Sequence, residues 1–320
     1  MRAVQIEGDV SCPRIVTNNN MDTPTPRNDE VLVRVHAAGI TGDEILWPEP
    51  YACASHIPGH DISGVVSATG PQYRGPLKIG QNVFALLHAD RGQGQADYVI
   101  CLPNEVAPKP ESLSHGKAAA LPIPLLTAWE AIESHANIKP GMRVLVTGAS
   151  GAVGMMTVQL ARQLAGAHVV ALSSSRHHEM LRRLGAHEVL DYKTPDWKNQ
   201  ITAVDCVFDM VGGDILAQTW ETVKDDGTII TVGDPAPAWA FGRGVATEAV
   251  DRPHVRYFHF IVSPNAENMA KASDMIDSGR LEPLAVRSFH FSEAVGAWEY
   301  ARQRNRGNKA VIEFVGGSSA

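Results

Sequence analysis

Val144-Leu145-Val146-Thr147-Gly148-Ala149-Ser150-Gly151-Ala152-Val153-Gly154 is the stretch that decides the fold. A short run of β-branched and aliphatic residues enters a glycine-rich turn, and an amphipathic helix leaves it. Val153, Met156, Leu160 and Leu164 recur at three- and four-residue steps, the period of a helix that packs one face on a sheet. A strand, a tight turn and a helix N-terminus together make an anion site. Backbone N–H groups and the positive helix end point at a phosphate, and glycines without Cβ atoms let a pyrophosphate approach. Gly148, Ser150, Gly151, Ala152, Val153 and Gly154 are therefore the candidate cradle of a dinucleotide. The pattern departs from GxGxxG, because Ala149 holds the first glycine position and Gly148 lies one residue earlier. Context carries the assignment. Strand-like runs at 167–172, 205–209 and 228–233 continue the alternation of strand and helix, which predicts an α/β, doubly wound parallel sheet. The competing reading is an ordinary α/β turn whose glycines serve packing alone.

Working outward, the 320 residues suit two domains, and 44% apolar content lets each bury a core. The formal charge of −7 is spread without blocks of like sign, which argues against a nucleic-acid surface or an anionic membrane as partner. The one dense basic cluster, Arg302, Arg304, Arg306 and Lys309, reads as a solvated helix end and loop. Met1 to Ile6 already reads as a strand, so no signal peptide is expected, and no apolar run has membrane-spanning length. Cys12, Cys53, Cys101 and Cys206 are scattered without a CxxC, which suggests neither a disulfide framework nor a zinc knuckle. A reducing, cytoplasmic setting is the expectation.

The first third of the chain is different in kind. Residues 30–37, 62–68 and 82–86 alternate or run apolar as short strands between Gly and Pro turns, predicting a β-rich domain with long loops. Helical character begins near residue 118. After residue 262 come a helix at 266–278, Phe289-His290-Phe291, a helix through Trp298 and Tyr300, and a closing strand at 309–314. The expected division is 1–118 with 263–320, and 119–262. The tail 316–320 is expected to be disordered.

Several strings carry a resemblance across nearly the whole chain: Ala37-Ala38-Gly39-Ile40, Ile57-Pro58-Gly59-His60-Asp61, Gly80-Gln81-Asn82-Val83-Phe84 and Gln95-Ala96-Asp97-Tyr98-Val99. Leu126-Thr127-Ala128-Trp129, Leu184-Gly185-Ala186 and Gly307-Asn308-Lys309-Ala310-Val311 extend it. In this order they resemble the medium-chain dehydrogenase/reductase superfamily, within it the zinc-independent quinone oxidoreductase and enoyl reductase branch. The resemblance implies a GroES-like catalytic domain closed by the C-terminal segment, a Rossmann dinucleotide-binding domain, a cofactor in the cleft between them, and a homodimer. It also implies that Thr127 lines the nicotinamide and that Tyr192 lies near the adenosine ribose. Val211, Val232, Gly233 and Lys309 complete the expected cofactor contacts.

Zinc alcohol dehydrogenases of this superfamily place a cysteine after the Ala-Gly-Ile turn, a His-Glu pair in the Pro-Gly-His string, and a further ligand before the central helix. Here those positions hold Thr41, His60-Asp61 and Ile123, and residues 87–95 lack the cysteines of a structural zinc lobe. One His and one Asp do not make a three-ligand catalytic site, so a metal-free chain is expected, with His60 a hydrogen-bonded structural residue.

The second strand of the cradle ends in Leu172-Ser173-Ser174-Ser175-Arg176-His177-His178, and the first acid after it is Glu179. An NAD site wants a carboxylate there for the ribose 2′-hydroxyl. Serine hydroxyls and a guanidinium suit a 2′-phosphate, so Ser173, Ser174 and Arg176 point to NADPH. The serines also suit capping of the helix that follows.

Hydride transfer belongs to the nicotinamide, and the protein positions the acceptor and manages its developing charge. Without a metal, an α,β-unsaturated carbonyl or quinone is the easier acceptor, because its anion is delocalised and hydrogen bonds suffice to stabilise it. Thr41 is the candidate donor to the substrate oxygen, and Tyr51 a candidate proton donor or aromatic wall. Trp47, Tyr51, Trp239, Phe241, Tyr257 and Phe260 are candidates for an aromatic pocket around an apolar enone or quinone. The alternatives are a metal-free carbonyl reductase or alcohol dehydrogenase, a reductase devoted to one biosynthetic intermediate, and a redox-silent NADPH-binding protein.

Overall fold

Val31, Val33 and Val35 point inward at every second residue while Arg34 turns to solvent, the alternation of a strand with one wet face. The same logic builds the strands around it. The computed structural model describes residues 1–303 and 307–314; Arg304 and Arg306 of the basic cluster and the tail 316–320 lie outside the described residues. The chain forms two compact units, 1–126 with 263 onward, and 127–262. The first boundary falls inside the helix Pro122–Glu130.

In chain order the strands are β1 (Ala3–Glu7), β2 (Arg14–Asn18), β3 (Val31–Gly39), β4 (Asp61–Thr69), β5 (Asn82–Leu86), β6 (Tyr98–Cys101) and β7 (Val106–Pro108). The second unit carries β8 (Arg143–Val146), β9 (His168–Ser173), β10 (Glu188–Asp191), β11 (Val204–Asp209), β12 (Val223–Thr231) and β13 (Arg256–His259). The return segment adds β14 (Val286–His290) and β15 (Lys309–Glu313).

The first unit is built on a sheet ordered β14-β15-β3-β4-β5-β7, with β6 also on β3, beside the β1–β2 hairpin. All its pairings are antiparallel except β14 with β15. The return helix Ala294–Ala301 lays Trp298 into the core with Val33, Ile62, Ile312 and Phe314. Its buried indole N–H donates to the Gln95 amide oxygen at 2.9 Å. A ring that size, paired at its polar tip, is among the largest single contributions, since burying a large apolar side chain is worth about 1.5–3 kcal/mol.

The second unit is a six-stranded parallel sheet ordered β10-β9-β8-β11-β12-β13. Numbered from its own first strand this is 3-2-1-4-5-6, the doubly wound order whose direction reverses between the first and fourth strands. Ligands in such sheets bind beyond the C-terminal strand ends at that reversal, which here means the ends of β8 and β11. Leu145, Val170, Val207 and Ile229 fill one side of the sheet with Trp220. Among the described residues no helix is long and apolar enough to cross a membrane.

Candidate functional site

β8 is followed by Thr147, whose N–H donates to the Phe208 carbonyl at 3.0 Å, and the chain then turns at Gly148. Gly148 has φ +57°, a left-handed conformation that a side chain resists. The Gly151 N–H closes the turn on the Gly148 carbonyl at 2.8 Å, and the helix Ala152–Gln163 starts from Gly151 with no side-chain cap. Its first-turn N–H groups therefore have no side-chain acceptor, which leaves an anion receptor at the end of β8. Gly154 is tied to this turn from below. A Cβ there would be driven into the Gly148 carbonyl oxygen and would stand 2.7 Å from the Ala149 Cα. Both obstacles are backbone, so Gly154→Ala must displace the cradle itself. We expect it to destabilise the protein by about 1–3 kcal/mol and to weaken dinucleotide binding, read by thermal unfolding and by fluorescence titration. An unchanged melting temperature and affinity would show that the cradle tolerates the methyl.

Asp209, at the end of β11, organises the opposite side and was not among the residues the sequence singled out for function. Its carboxylate is fully buried and accepts from the Thr147 hydroxyl (2.5 Å), the Thr231 hydroxyl (2.7 Å), the Gly212 N–H (2.9 Å) and the Val211 N–H (3.2 Å). Its own carbonyl takes the Val232 N–H at 2.9 Å, and the Thr231 hydroxyl receives the Gly233 N–H at 3.0 Å. Val211, Val232 and Gly233 are thus brought together around Asp209, through its carboxylate, its carbonyl and the Thr231 hydroxyl it binds, with Val211 half-exposed. The signal available was an acid ending a predicted strand and followed closely by Gly212-Gly213.

At the end of β9, Ser173 is buried and its hydroxyl donates to the Ser174 carbonyl at 3.2 Å. Serine capping does not occur here: Ser174 precedes the turn Ser175–His177 without a side-chain hydrogen bond, because β9 runs into a single tight turn before the helix His178–Arg183. Arg176 is exposed, with Nε donating to His177 Nε2 at 3.0 Å. The structure adds an acid that a scan along the chain passes over. Asp191 ends β10 directly opposite Ser173, and its carboxylate accepts the N–H groups of Lys193 (2.9 Å) and Ser175 (3.1 Å). The Lys193 N–H holds its carboxyl below the usual range, with burial opposing and Ser175 adding to the lowering. Tyr192 is half-exposed beside it, and Thr127 is buried on the helix Pro122–Glu130.

The first unit gathers a second set of groups. Lys309 is not part of a solvated basic cluster. β15 carries its ammonium inward to 5% exposure, where it pairs with Asp61 at 3.1 Å and donates to the Thr41 hydroxyl at 3.3 Å. The other Asp61 oxygen takes the Ile123 N–H at 2.7 Å. Burial pushes the Asp61 carboxyl up, and the Lys309 ammonium opposes that. Next to it, His60 is held from both sides, Nε2 by the Ala89 carbonyl at 3.0 Å and Nδ1 by the Glu44 carboxylate at 3.0 Å. The Glu44 carboxylate beside Nδ1 and the Ala89 carbonyl on Nε2 both favour the protonated ring. Burial works against that charge, but Glu44 outweighs it and the group is pushed up to about 9. Glu44 also accepts the Gly59 N–H at 2.5 Å, which fixes the loop carrying Thr41 to the Gly59-His60 turn.

The aromatic candidates are distributed over several contacts. The Tyr51 hydroxyl donates to the Ile45 carbonyl at 2.5 Å, and Trp47 stands 5.8 Å from the His60 ring. In the second unit Trp239 and Tyr257 pack together at 5.0 Å, Phe241 lies against His259 and Phe260 against His135.

Comparisons with known proteins agree with this architecture. Residues 27–111 match the alcohol dehydrogenase GroES-like domain, and residues 184–312 match the zinc-binding dehydrogenase family. A probable zinc-binding oxidoreductase, mitochondrial, from Arthroderma benhamiae is 30% identical over 318 residues, covering 94% of this chain and 93% of that protein. A 2-methylene-furan-3-one reductase from Solanum lycopersicum is 30% identical over 311 residues, covering 93% and 75%. The quinone oxidoreductase structure from Coxiella burnetii has a TM-score of 0.83 at 29% identity, covering 98% of this chain and 99% of that one. A GroES-like domain joined to a doubly wound nucleotide-binding sheet defines an oxidoreductase. The chain belongs to the medium-chain dehydrogenase/reductase superfamily.

Two of these names include zinc, and the residues here do not fit it. His60 has both nitrogens engaged by Glu44 and Ala89, Asp61 is neutralised by Lys309, and Thr41 and Ile123 stand at the other ligand positions. Among the described residues no three His, Cys, Asp or Glu side chains are grouped to hold a metal ion. A nicotinamide dinucleotide does fit, through the uncapped helix start at Ala152 and the close glycine packing beneath it.

Proposed function

We propose that the chain is an NADPH-dependent, metal-free reductase of α,β-unsaturated carbonyls or quinones. The observation that carries this reading is the engagement of His60 and Asp61 by Glu44 and Lys309, which puts internal ion pairs where a zinc enzyme would need free ligands. The names of the tomato reductase and the Coxiella oxidoreductase, both conjugated carbonyl acceptors, support the substrate class. When bound, the nicotinamide supplies the hydride.

The chain's residues do the rest. The N–H groups of Ala152, Val153 and Gly154 bind the pyrophosphate, and Asp209 holds Val211, Val232 and Gly233 in place beside them. Ser174 and the exposed Arg176 take the 2′-phosphate, while the buried Ser173 hydroxyl is given to the Ser174 carbonyl instead. Asp191 is already engaged by two backbone N–H groups, which supports reading it as a fixture of the loop rather than a free ribose acceptor. Thr41 donates to the substrate oxygen as negative charge develops there, and solvent supplies the proton.

The test follows consumption of NADPH and NADH with menadione, 1,4-benzoquinone, methyl vinyl ketone and cyclohexanone. Turnover with NADPH on quinones or enones is expected, with no zinc in the purified protein by elemental analysis. Turnover of cyclohexanone alone, or stoichiometric zinc, would overturn the reading. Arg176→Ala removes a charge-assisted bond of about 1.5–3 kcal/mol, so the preference for NADPH over NADH should fall roughly 10- to 100-fold. An unchanged preference would place the 2′-phosphate elsewhere.

A further inference from the structure

We propose that Lys309 is a positioning residue that acts through Thr41. Its ammonium donates to the Thr41 oxygen, which commits the Thr41 hydroxyl proton to the substrate's carbonyl or quinone oxygen. The inference rests on the reading of Thr41 as donor given above and assigns what makes it one.

A threonine hydroxyl is both donor and acceptor, and left alone it is divided between the two roles. Here the division is settled by its neighbours. Lys309 has three protons and no acceptor capacity; one proton goes to Asp61 Oδ2 at 3.1 Å and another to Thr41 Oγ1 at 3.3 Å. Asp61 does not take the Thr41 proton: its Oδ2 accepts from Lys309 and its Oδ1 from the Ile123 N–H at 2.7 Å, and the Thr41 hydroxyl donates to neither. Among the described residues the Thr41 hydroxyl has no hydrogen-bond acceptor, and the residue is only half-buried. The chain therefore runs from a buried ion pair, through one hydroxyl, to the accessible side of the loop.

Burial adds to the effect. Asp61 is 1% and the Lys309 side chain 5% exposed, so water does not screen the pair or compete with Thr41 for the ammonium. In such surroundings successive hydrogen bonds polarise one another, and the terminal hydroxyl becomes a better donor to an oxyanion than an isolated threonine. The Glu44 contact to the Gly59 N–H holds the same loop a few residues on, so the donor is fixed in direction as well as in polarity. A lysine that merely balanced Asp61 would do none of this to catalysis. A lysine that gripped the cofactor would have to leave the pair.

The experiment is a double-mutant cycle with menadione as acceptor, reading kcat, KM and, independently of turnover, NADPH affinity by fluorescence titration. T41V should lower kcat by about 100-fold, the effect of removing one donor to an oxyanion, while T41S restores it. K309M should lower kcat by a similar factor and leave NADPH affinity unchanged, and K309R should recover part of the loss. The double variant T41V/K309M should be no slower than T41V alone. Because K309M strands the Asp61 carboxylate, D61N/K309M is made in parallel; it removes both charges and should show the same fall in kcat. Multiplying effects in the cycle would overturn the coupling of Lys309 to Thr41. Weakened NADPH binding with kcat preserved would place Lys309 on the cofactor instead. If T41V retains full kcat, the donor reading of Thr41 itself fails. That outcome is distinct from an impaired T41V beside a fully active D61N/K309M, which refutes Lys309 alone.

Discussion

Asp209→Ala will destabilise the protein by about 3–5 kcal/mol, because it strands four donors that end on one buried carboxylate. The Thr147 and Thr231 hydroxyls and the Val211 and Gly212 N–H groups all end on the one buried carboxylate. Hydrogen bonds to an ionised acceptor are worth about 1.5–3 kcal/mol each, and the cavity left by the side chain adds to their loss. Relaxation returns part of this, since both threonines can rotate to other acceptors. Asp209→Asn retains one oxygen but turns an NH2 group toward the other donors, so it should lose about half as much. Urea unfolding separates the outcomes: both variants should shift the midpoint with the slope unchanged. A loss below about 1 kcal/mol for the alanine variant would mean that the β8, β11 and β12 ends do not depend on this residue. Dinucleotide affinity should fall in the same order as stability, since Asp209 ties together the turns that carry Val211 and Gly233 beside Gly148. Lost affinity without lost stability would contradict that structural role.

The contrast between Gly154 and Asp209 shows what a single sequence contains. The strand, turn and helix from Val144 to Gln163 were legible because the period of Val153, Met156 and Leu160 and the glycines are local properties, set within one helical turn or two. The β-rich first unit was legible for the same reason, from alternation within single strands. Asp209 was not legible as an organising residue, because its partner Thr147 lies 62 residues away and an acid at a strand end is ordinary. Lys309 was misread as solvated for a similar reason. A lysine in a basic run reads as surface, and only the pairing of β15 with β3 carries it to Asp61, 248 residues distant. Asp191 was passed over because the search for an acid followed the chain from β9, whereas the sheet sets this one opposite Ser173 sideways, from the neighbouring strand. His60 is the intermediate case. Its structural role followed from the missing metal ligands, yet its partner Glu44 sits in a loop whose path no periodicity records.

That partner sets the second large effect. Glu44→Gln should destabilise the protein by about 3–5 kcal/mol near pH 6.5, the usual result of breaking a buried ion pair from one side. Glutamine keeps an oxygen for the Gly59 N–H, so the change isolates the charge opposite His60. The pH dependence identifies the proton involved. His60 is pushed from 6.5 up to about 9 in the folded protein, with Glu44, Asp61 and the Ala89 carbonyl overcoming burial. A group whose folded value is raised stabilises fully below its unfolded value and loses that contribution as pH rises toward the folded one. Wild-type stability should therefore fall by about 2 kcal/mol between pH 6.5 and 8.5 on account of this group. The other histidines with shifted values work elsewhere. Burial lowers His36, His115, His177, His187 and His259, so their contributions are lost as pH falls through the ordinary value of 6.5. The buried Cys101 and Cys206 thiols are pushed up by burial and act only as the unfolded chain nears the ordinary cysteine value of 9.0. Urea unfolding at pH 6.5, 7.5 and 8.5 thus reads mainly His60 in the wild type, and Glu44→Gln should flatten the slope because its imidazole is already neutral. An equal slope in the two proteins would assign the proton to another group. A flat slope in both would mean that His60 is neutral throughout, leaving the Glu44 carboxylate a buried charge without a cation and the loop of Thr41 without its anchor.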